Sequence, residues 1–373
     1  MIPNFHGIID STLREGEQTP GVNFSQEMRY EIISHLCQVG VEEMELGVAS
    51  EKNSHLQNLF TFARKTSKGR QGLGLWCRCH GEDIAFAASC RPDVLSLSIP
   101  ASDLHISQRL QKDRSWILRT LRQAVSQARS CGIPFISLGL EDATRADPEF
   151  LCQLAKSAAE CGVHRLRLAD TVGIGSPATI TKMVRMLLQQ SGLPCGIHTH
   201  NDFGMATANA IAALEAGASW IDATVLGLGE RAGNCRLEEA VAFLGLQRGM
   251  ERYQVSGLPA LCQTVSKASG IAIARNHPVI GEAIFTCETG LHLHGLTVNP
   301  GTYEPYSPEK VGASRKMHFG HKSGKRALCN HLCALGHPID DNRAEILVNQ
   351  LRSKATPPLH GLSDPELLHL AGL

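Results

Sequence analysis

Two histidines separated by one residue, His198 and His200 in the run HTHND, fall on the same face of an extended strand because successive side chains alternate between faces. A pair of this kind can hold a divalent ion once oxygen donors join it. Glu15 in LREGEQTPG and Asn234 at the end of the glycine-rich GLGERAGN are the candidates. Two imidazoles, a carboxylate and an amide make a nitrogen and oxygen set suited to Mn, Mg, Fe or Zn, with positions left open for a substrate. On residue types alone the alternative is a hydrogen-bonded polar cluster without an ion. Arg14 can meet an oxyanion or carboxylate and Gln18 can hydrogen-bond a substrate, although adjacent opposite charges such as Arg14 and Glu15 often pair at surfaces. GLGERAGN lacks the Lys-Ser/Thr of a phosphate loop, but its glycines let backbone approach a ligand closely.

Placing these residues together requires a scaffold, and the chain alternates short β-type runs with helical patterns over its first two-thirds. The runs cover 7–12, 42–47, 72–77, 93–99, 135–141, 165–170, 195–200 and 220–227. Eight such runs predict an α/β fold, a (β/α)8 TIM barrel, with helices over 26–38, 54–66, 82–89, 115–130, 148–160, 177–190, 205–216 and 237–247. Glycines 40, 132, 162, 192 and 217 sit where five of the helices should stop. The polar residues gather after strand ends: Arg14 and Glu15, Glu141 and Asp142, Asp170 and Thr171, His198 and His200, then Glu230, Arg231 and Asn234. Strand interiors read as mostly apolar, which predicts one polar mouth. Residues 1–275 are assigned to the barrel, 276–320 to a loop-rich linker subdomain contributing to the active site, and 321–373 to a small helical C-terminal subdomain.

Hydrophobic residues make up 43% and charged residues 19%, which excludes a largely disordered chain. The 36 basic and 36 acidic side chains balance, so no global field favours nucleic acid or an anionic membrane. No apolar run is long enough to span a bilayer, and the N-terminal stretch lacks a basic leader, which predicts a cytoplasmic protein. Thirteen scattered cysteines read as reduced thiols rather than a disulfide framework.

DSTLREGEQTPGVNFS, LGLEDATRADPEFL, LADTVGIGSP, HTHNDFGMATANAIAALEAGA, GLGERAGN and TGLHLHGL followed by NPGTYEPYSPEKVG occur in that order over nearly the whole chain. Together they resemble the acetyl-CoA-dependent Claisen condensing branch of the DRE-TIM metallolyases, the homocitrate, isopropylmalate and citramalate synthases. WCRCHGED, SIPASD and GLEDATRADPEFL most resemble homocitrate synthases associated with nitrogenase cofactor biosynthesis. The resemblance implies a divalent metal (Mn, Mg or Zn) on Glu15, His198 and His200, with Asn234 as a further ligand. It implies acetyl-CoA as co-substrate and a 2-oxo acid, first 2-oxoglutarate, bound by Arg14 and Thr171 beside Gln18. Glu141 and His292 would remove the acetyl proton, Tyr303 would come from the C-terminal subdomain, and a homodimer is implied. From residues alone, His294 competes with His292 and Tyr306 with Tyr303.

Two departures stand out. Strand 5 carries Ser137 and Gly139 where lysine-pathway relatives have an Arg and a Ser, so Arg78 becomes the candidate for a distal carboxylate, with a salt-bridged surface arginine as the alternative. GHKSGKR over 320–326 departs from the family's GKHSGR and leaves His321 without an assigned role. The rival readings are another 2-oxo acid acceptor, a carbon–carbon lyase, or a catalytically dead barrel. A lyase would need its cysteine in the glycine-rich loop, where this chain has Asn234 followed by Cys235.

Overall fold

A computed structural model describes residues 5–53, 55–353 and 361–373. It divides into two compact units, Met1–Ile273 and Ala274–Leu373. In the first, eight parallel strands close into a barrel: β1 (Gly7–Asp10), β2 (Glu43–Val48), β3 (Gly72–Arg78), β4 (Val94–Pro100), β5 (Ile136–Glu141), β6 (Arg165–Asp170), β7 (Cys195–Thr199) and β8 (Trp220–Ala223). The pairing of Gly7 with Trp220 through Asp10 with Ala223 joins β8 back to β1 and closes it.

Between the strands run α1 (Gln26–Val39), α2 (Leu56–Ser67), α3 (Gly81–Ser89), α4 (Arg114–Ser130), α5 (Pro148–Cys161), α6 (Pro177–Ser191), α7 (Ala206–Glu215) and α8 (Leu237–Ala242). The helix expected over 54–66 begins at Ser54, which lies outside the described residues. Local sequence explains the helix ends. Ser25, Asp113, Asp147 and Ser176 each accept a hydrogen bond from a first-turn amide, and Pro148 and Pro177 occupy the opening turn where no amide is needed. Gly40, Gly162 and Gly192 stop α1, α5 and α6 in the left-handed conformation.

The barrel interior departs from the mostly apolar filling expected. Glu43 and Glu45 on β2, Arg165 and Arg167 on β6 and Asp222 on β8 are all buried inside it. In the lower layer Arg165 grips Glu43 with two bonds of 2.9 Å, donates to Ser137 at 3.2 Å, and lies 4.7 Å from the Trp220 ring. In the layer above, Arg167 bridges Glu45 and Asp222 at 3.0 Å each. The physical reason is strand periodicity: E-x-E and R-x-R place both charges of each pair on one face, and here that face is the inward one. Opposite charges then meet across the barrel, which offsets the cost of removing them from water.

The second unit has its own core, in which Leu293 and Phe319 pack with Leu328, Leu332, Leu347 and Leu367. Leu293 and Phe319 precede residue 321 and the others follow it, so this core draws on both segments. The 276–320 stretch is also less loop-like than its composition predicts. It carries β9 (Thr286–Cys287), paired in parallel with β10 (Lys316–Met317), and a helix α9 (Gly290–Val298) formed by GLHLHGLTV, whose short glycine spacing had obscured a helical turn. Three further helices follow at Lys325–Ala334, Asp341–Ser353 and Asp364–Ala371, the last opened by a Ser363–Glu366 capping box. Among the described residues no helix is long and apolar enough to cross a membrane.

Replacing Arg165 with Met strands Glu43 as an uncompensated buried charge and should cost about 3–5 kcal/mol. Urea unfolding measures this. Adding Glu43→Leu should restore most of the loss, because the double variant buries no charge; no recovery would show that the pair's hydrogen bonds, not its charges, hold the layer.

Candidate active site

Beyond β1 the chain turns sharply, with the amides of Arg14, Glu15 and Gly16 all returning to the Ser11 carbonyl. This folds Arg14 and Glu15 back over the barrel mouth, where both are buried. His198 and His200 emerge from β7 on one face, as their spacing predicts. Their Nε2 atoms lie 3.3 Å apart, and the Glu15 carboxylate oxygens stand 3.9 Å from His198 and 3.7 Å from His200. One donor atom from each residue lies within 4.8 Å of the others.

The polar surroundings orient this trio. Asp222 meets His198 Nδ1 at 3.2 Å, which favours a proton on Nδ1 and leaves the Nε2 lone pair facing Glu15 and His200. Burial, aided by the neighbouring His198, pushes the His200 pKa down to about 3, so its ring stays neutral and able to coordinate. Burial raises the Glu15 pKa, yet Arg14 and the two imidazoles outweigh it and the net shift is downward. Glu15 is therefore a carboxylate.

Asn234 joins from the loop after β8, bridged to the His200 backbone. Its side-chain NH2 donates to the Leu228 carbonyl at 2.8 Å, while its Oδ1 is buried without a partner. The glycines explain how it gets there. A Cβ on Gly229 would stand 2.0 Å from Asn234 Nδ2, and one on Gly233 would stand 1.8 Å from the Gly227 carbonyl, with both residues at positive φ. Two imidazole nitrogens and a carboxylate thus converge in a buried space, the unpartnered amide oxygen of Asn234 lies on the loop bridged to His200, and this donor set fits a divalent cation. Arg14 binds Glu45 through Nε at 2.6 Å and Glu15 through Nη1, leaving Nη2 buried and unpartnered at the same place.

The other predicted residues are more dispersed. Thr171 accepts a hydrogen bond from the Asp142 amide at 2.8 Å, and Gln18 is exposed at the end of a short helical turn. Arg78 is 69% exposed and donates through Nε and Nη2 to both oxygens of Asp83, at 2.7 and 3.0 Å. Glu141 accepts from Ser98 at 2.8 Å and pairs with Arg109. In the second unit His292 and Tyr303 are exposed, with rings in edge contact at 4.3 Å, whereas Tyr306 packs on Phe285. Tyr303 lies over Gly295, where a Cβ would stand 2.3 Å from its ring. His321 is exposed. Cys235 is buried, and burial pushes its thiol pKa up, which leaves it un-ionised.

Sequence reasoning missed Glu45, Arg167, Asp222 and Arg109. The first two had a signal in the period-two charges of EMELG and RLRLAD; Arg109, in the segment after β4, had none.

A family model described as HMGL-like matches residues 6–265, and one described as homocitrate synthase post-HMGL domain-like matches residues 279–357. The chain belongs to the isopropylmalate and homocitrate synthase family. Members of this family are enzymes, and the chain is one. It is 35% identical over 364 residues to 2-isopropylmalate synthase 2 of Caldanaerobacter subterraneus subsp. tengcongensis, with 97% of this chain and 94% of that one covered. It is 38% identical over 363 residues to the homocitrate synthase of Frankia sp. (strain FaC1), covering 96% and 88%. The hydroxymethylglutaryl-CoA lyase from Pseudomonas aeruginosa shares the fold, with a TM-score of 0.65 at 16% identity over 73% of this chain and 96% of that one.

If the trio holds a cation, His198→Ala should abolish Mn2+ binding in titration calorimetry. Asp222→Asn, which removes only the support behind His198, should weaken binding about 10- to 100-fold. Equal affinity in wild type and both variants would place the ion elsewhere.

Proposed function

We propose that the protein is a homocitrate synthase, an acyltransferase that condenses acetyl-CoA with 2-oxoglutarate to give homocitrate and CoA. The observation that carries the reading is the convergence of Glu15, His198 and His200 beside an arginine with a spare donor, with the buried Asn234 oxygen left unpartnered on the neighbouring loop. Glu15, His198, His200 and Asn234 would hold a divalent ion, which when bound would supply Lewis acidity at the ketone of the oxo acid.

The chain's own residues do the remainder. Arg14 Nη2, buried and unpartnered, can donate to the oxygen that becomes an alkoxide, where a fixed cation stabilises the developing charge. Its other two nitrogens are tied to carboxylates, so the guanidinium cannot swing away. Thr171 and Gln18 are the further contacts for the acid. Glu141 and His292 are the residues to which the family resemblance gives removal of the acetyl-methyl proton, since a carboxylate alone is too weak a base for a thioester α-proton. Tyr303, in ring contact with His292, limits the positions that imidazole can take. The homodimer implied by the family resemblance, a cytoplasmic location and supply of homocitrate to nitrogenase cofactor assembly belong to the same proposal.

The second reading is a different 2-oxo acid acceptor, as in isopropylmalate or citramalate synthesis. It draws support from a relative named for isopropylmalate that is as similar as those named for homocitrate.

A CoA-release assay over a panel of 2-oxo acids decides between them. Expected is the highest kcat/KM with 2-oxoglutarate and loss of turnover on chelation; a preference for 2-oxoisovalerate would overturn the homocitrate assignment. His292→Ala should keep bound metal and lose condensation, whereas loss of both would give His292 a structural role.

A further inference from the structure

Beside the metal-ligand cluster lies a second space, and what lines it bears on which acid enters. A cavity of about 410 Å³ opens among the C-terminal ends of β3, β4 and β5 and the segment that follows β4. Trp76 connects the two places: its ring lies 5.9 Å from the Arg14 guanidinium carbon and it also forms part of the cavity wall. On the condensation reading, the part of a 2-oxo acid remote from its ketone would lie past Trp76 in this cavity.

The wall is mainly apolar, from Trp76, Ile99, Leu110 and Trp116, and would suit methylene groups. Two arginines reach it. Arg78 is consumed by Asp83 in a two-bond pair at its outer edge. Arg109 instead crosses to the cavity's own carboxylate, Glu141, and its side chain is still 51% exposed. An ion pair this open to solvent is weak, on the order of 0–1 kcal/mol, so a second carboxylate can compete for the guanidinium. Glu141 would lose little, because Ser98 continues to donate to its other oxygen at 2.8 Å.

We propose that Arg109 is the specificity-determining residue that reads the distal carboxylate of a dicarboxylic 2-oxo acid, exchanging Glu141 for the substrate when that acid binds. The inference rests on the condensation reading above and fills the position for which Arg78 was the sequence candidate. The exchange has a second effect. Glu141 is released from its cation only when an acid with two carboxylates is present, so the same contact that selects the acceptor also frees the carboxylate proposed to support the base.

The test compares 2-oxoglutarate with 2-oxopentanoate, which has the same carbon chain and no distal carboxylate. Arg109→Met should lower kcat/KM for 2-oxoglutarate about 10- to 100-fold, the loss of one or two charge-assisted hydrogen bonds, and, because it frees Glu141 whichever acid is bound, leave the 2-oxopentanoate value unchanged or raised. Arg109→Lys should recover part of the preference. An equal fall for both acids would overturn the proposal and reduce Arg109 to a prop for Glu141. Titration calorimetry of the two acids onto the Mn2+-loaded protein, without acetyl-CoA, gives a readout independent of turnover. Wild type should favour 2-oxoglutarate and Arg109→Met should not. If wild type condenses neither acid yet shows this binding preference, the condensation reading fails and the role of Arg109 stands; a wild type that binds both acids equally removes that role.

Discussion

Glu45 sits between two arginines inside the barrel, and the mouth is built outward from that contact. Arg14 approaches it from the chain that returns over β1, and Arg167 from β6. Burial alone would raise the Glu45 pKa, but the two guanidiniums reverse the shift and hold it ionised. Arg167 in turn fixes Asp222, and Asp222 fixes His198. The orientation of one imidazole at the rim is thus decided in the charged layer beneath it. Charges in such a place cost several kcal/mol each to dehydrate, and they persist because every one has an opposite neighbour. In exchange, the side chains that face the ligand have little rotational freedom left, which is the condition for pre-organised electrostatic catalysis.

Much of the fold was legible because βα alternation is a strong signal when strands are apolar and helices carry their own stops. Gly40, Gly162 and Gly192 end helices where the sequence placed them, and HTHND brings its histidines to one face by simple alternation. The rim was legible for the same reason: residues just past strand ends converge in any barrel. What escaped was the content of the barrel's centre. Glu43, Glu45, Arg165 and Arg167 look like alternating surface charges until it is known which face of the strand points inward, and a single strand does not contain that information. Register across the sheet supplies it.

The second unit was harder to read for a related reason. TGLHLHGL has glycines at a spacing that weakens a helical pattern, and helix propensity there is overridden by packing of Leu293 against Phe319 and Leu328. Tyr303 occupies the space left by the missing side chain of Gly295, so the glycine that hides the helix also seats the aromatic ring next to His292. Arg109 was invisible for a different cause: its partner Glu141 lies 32 residues further along the chain, and no periodicity links them.

The order of strands around the barrel separates two duties. β7, β8 and β1 are consecutive neighbours and lead to the side chains proposed to hold an ion, while β3, β4 and β5 form a contiguous arc of their own around the cavity. Changes that reshape the second arc need not disturb the first. On the proposed reading, substitutions that change which acceptor fits fall in that one third of the rim, so laboratory evolution aimed at new acceptors has its natural library there, with Glu141 held fixed.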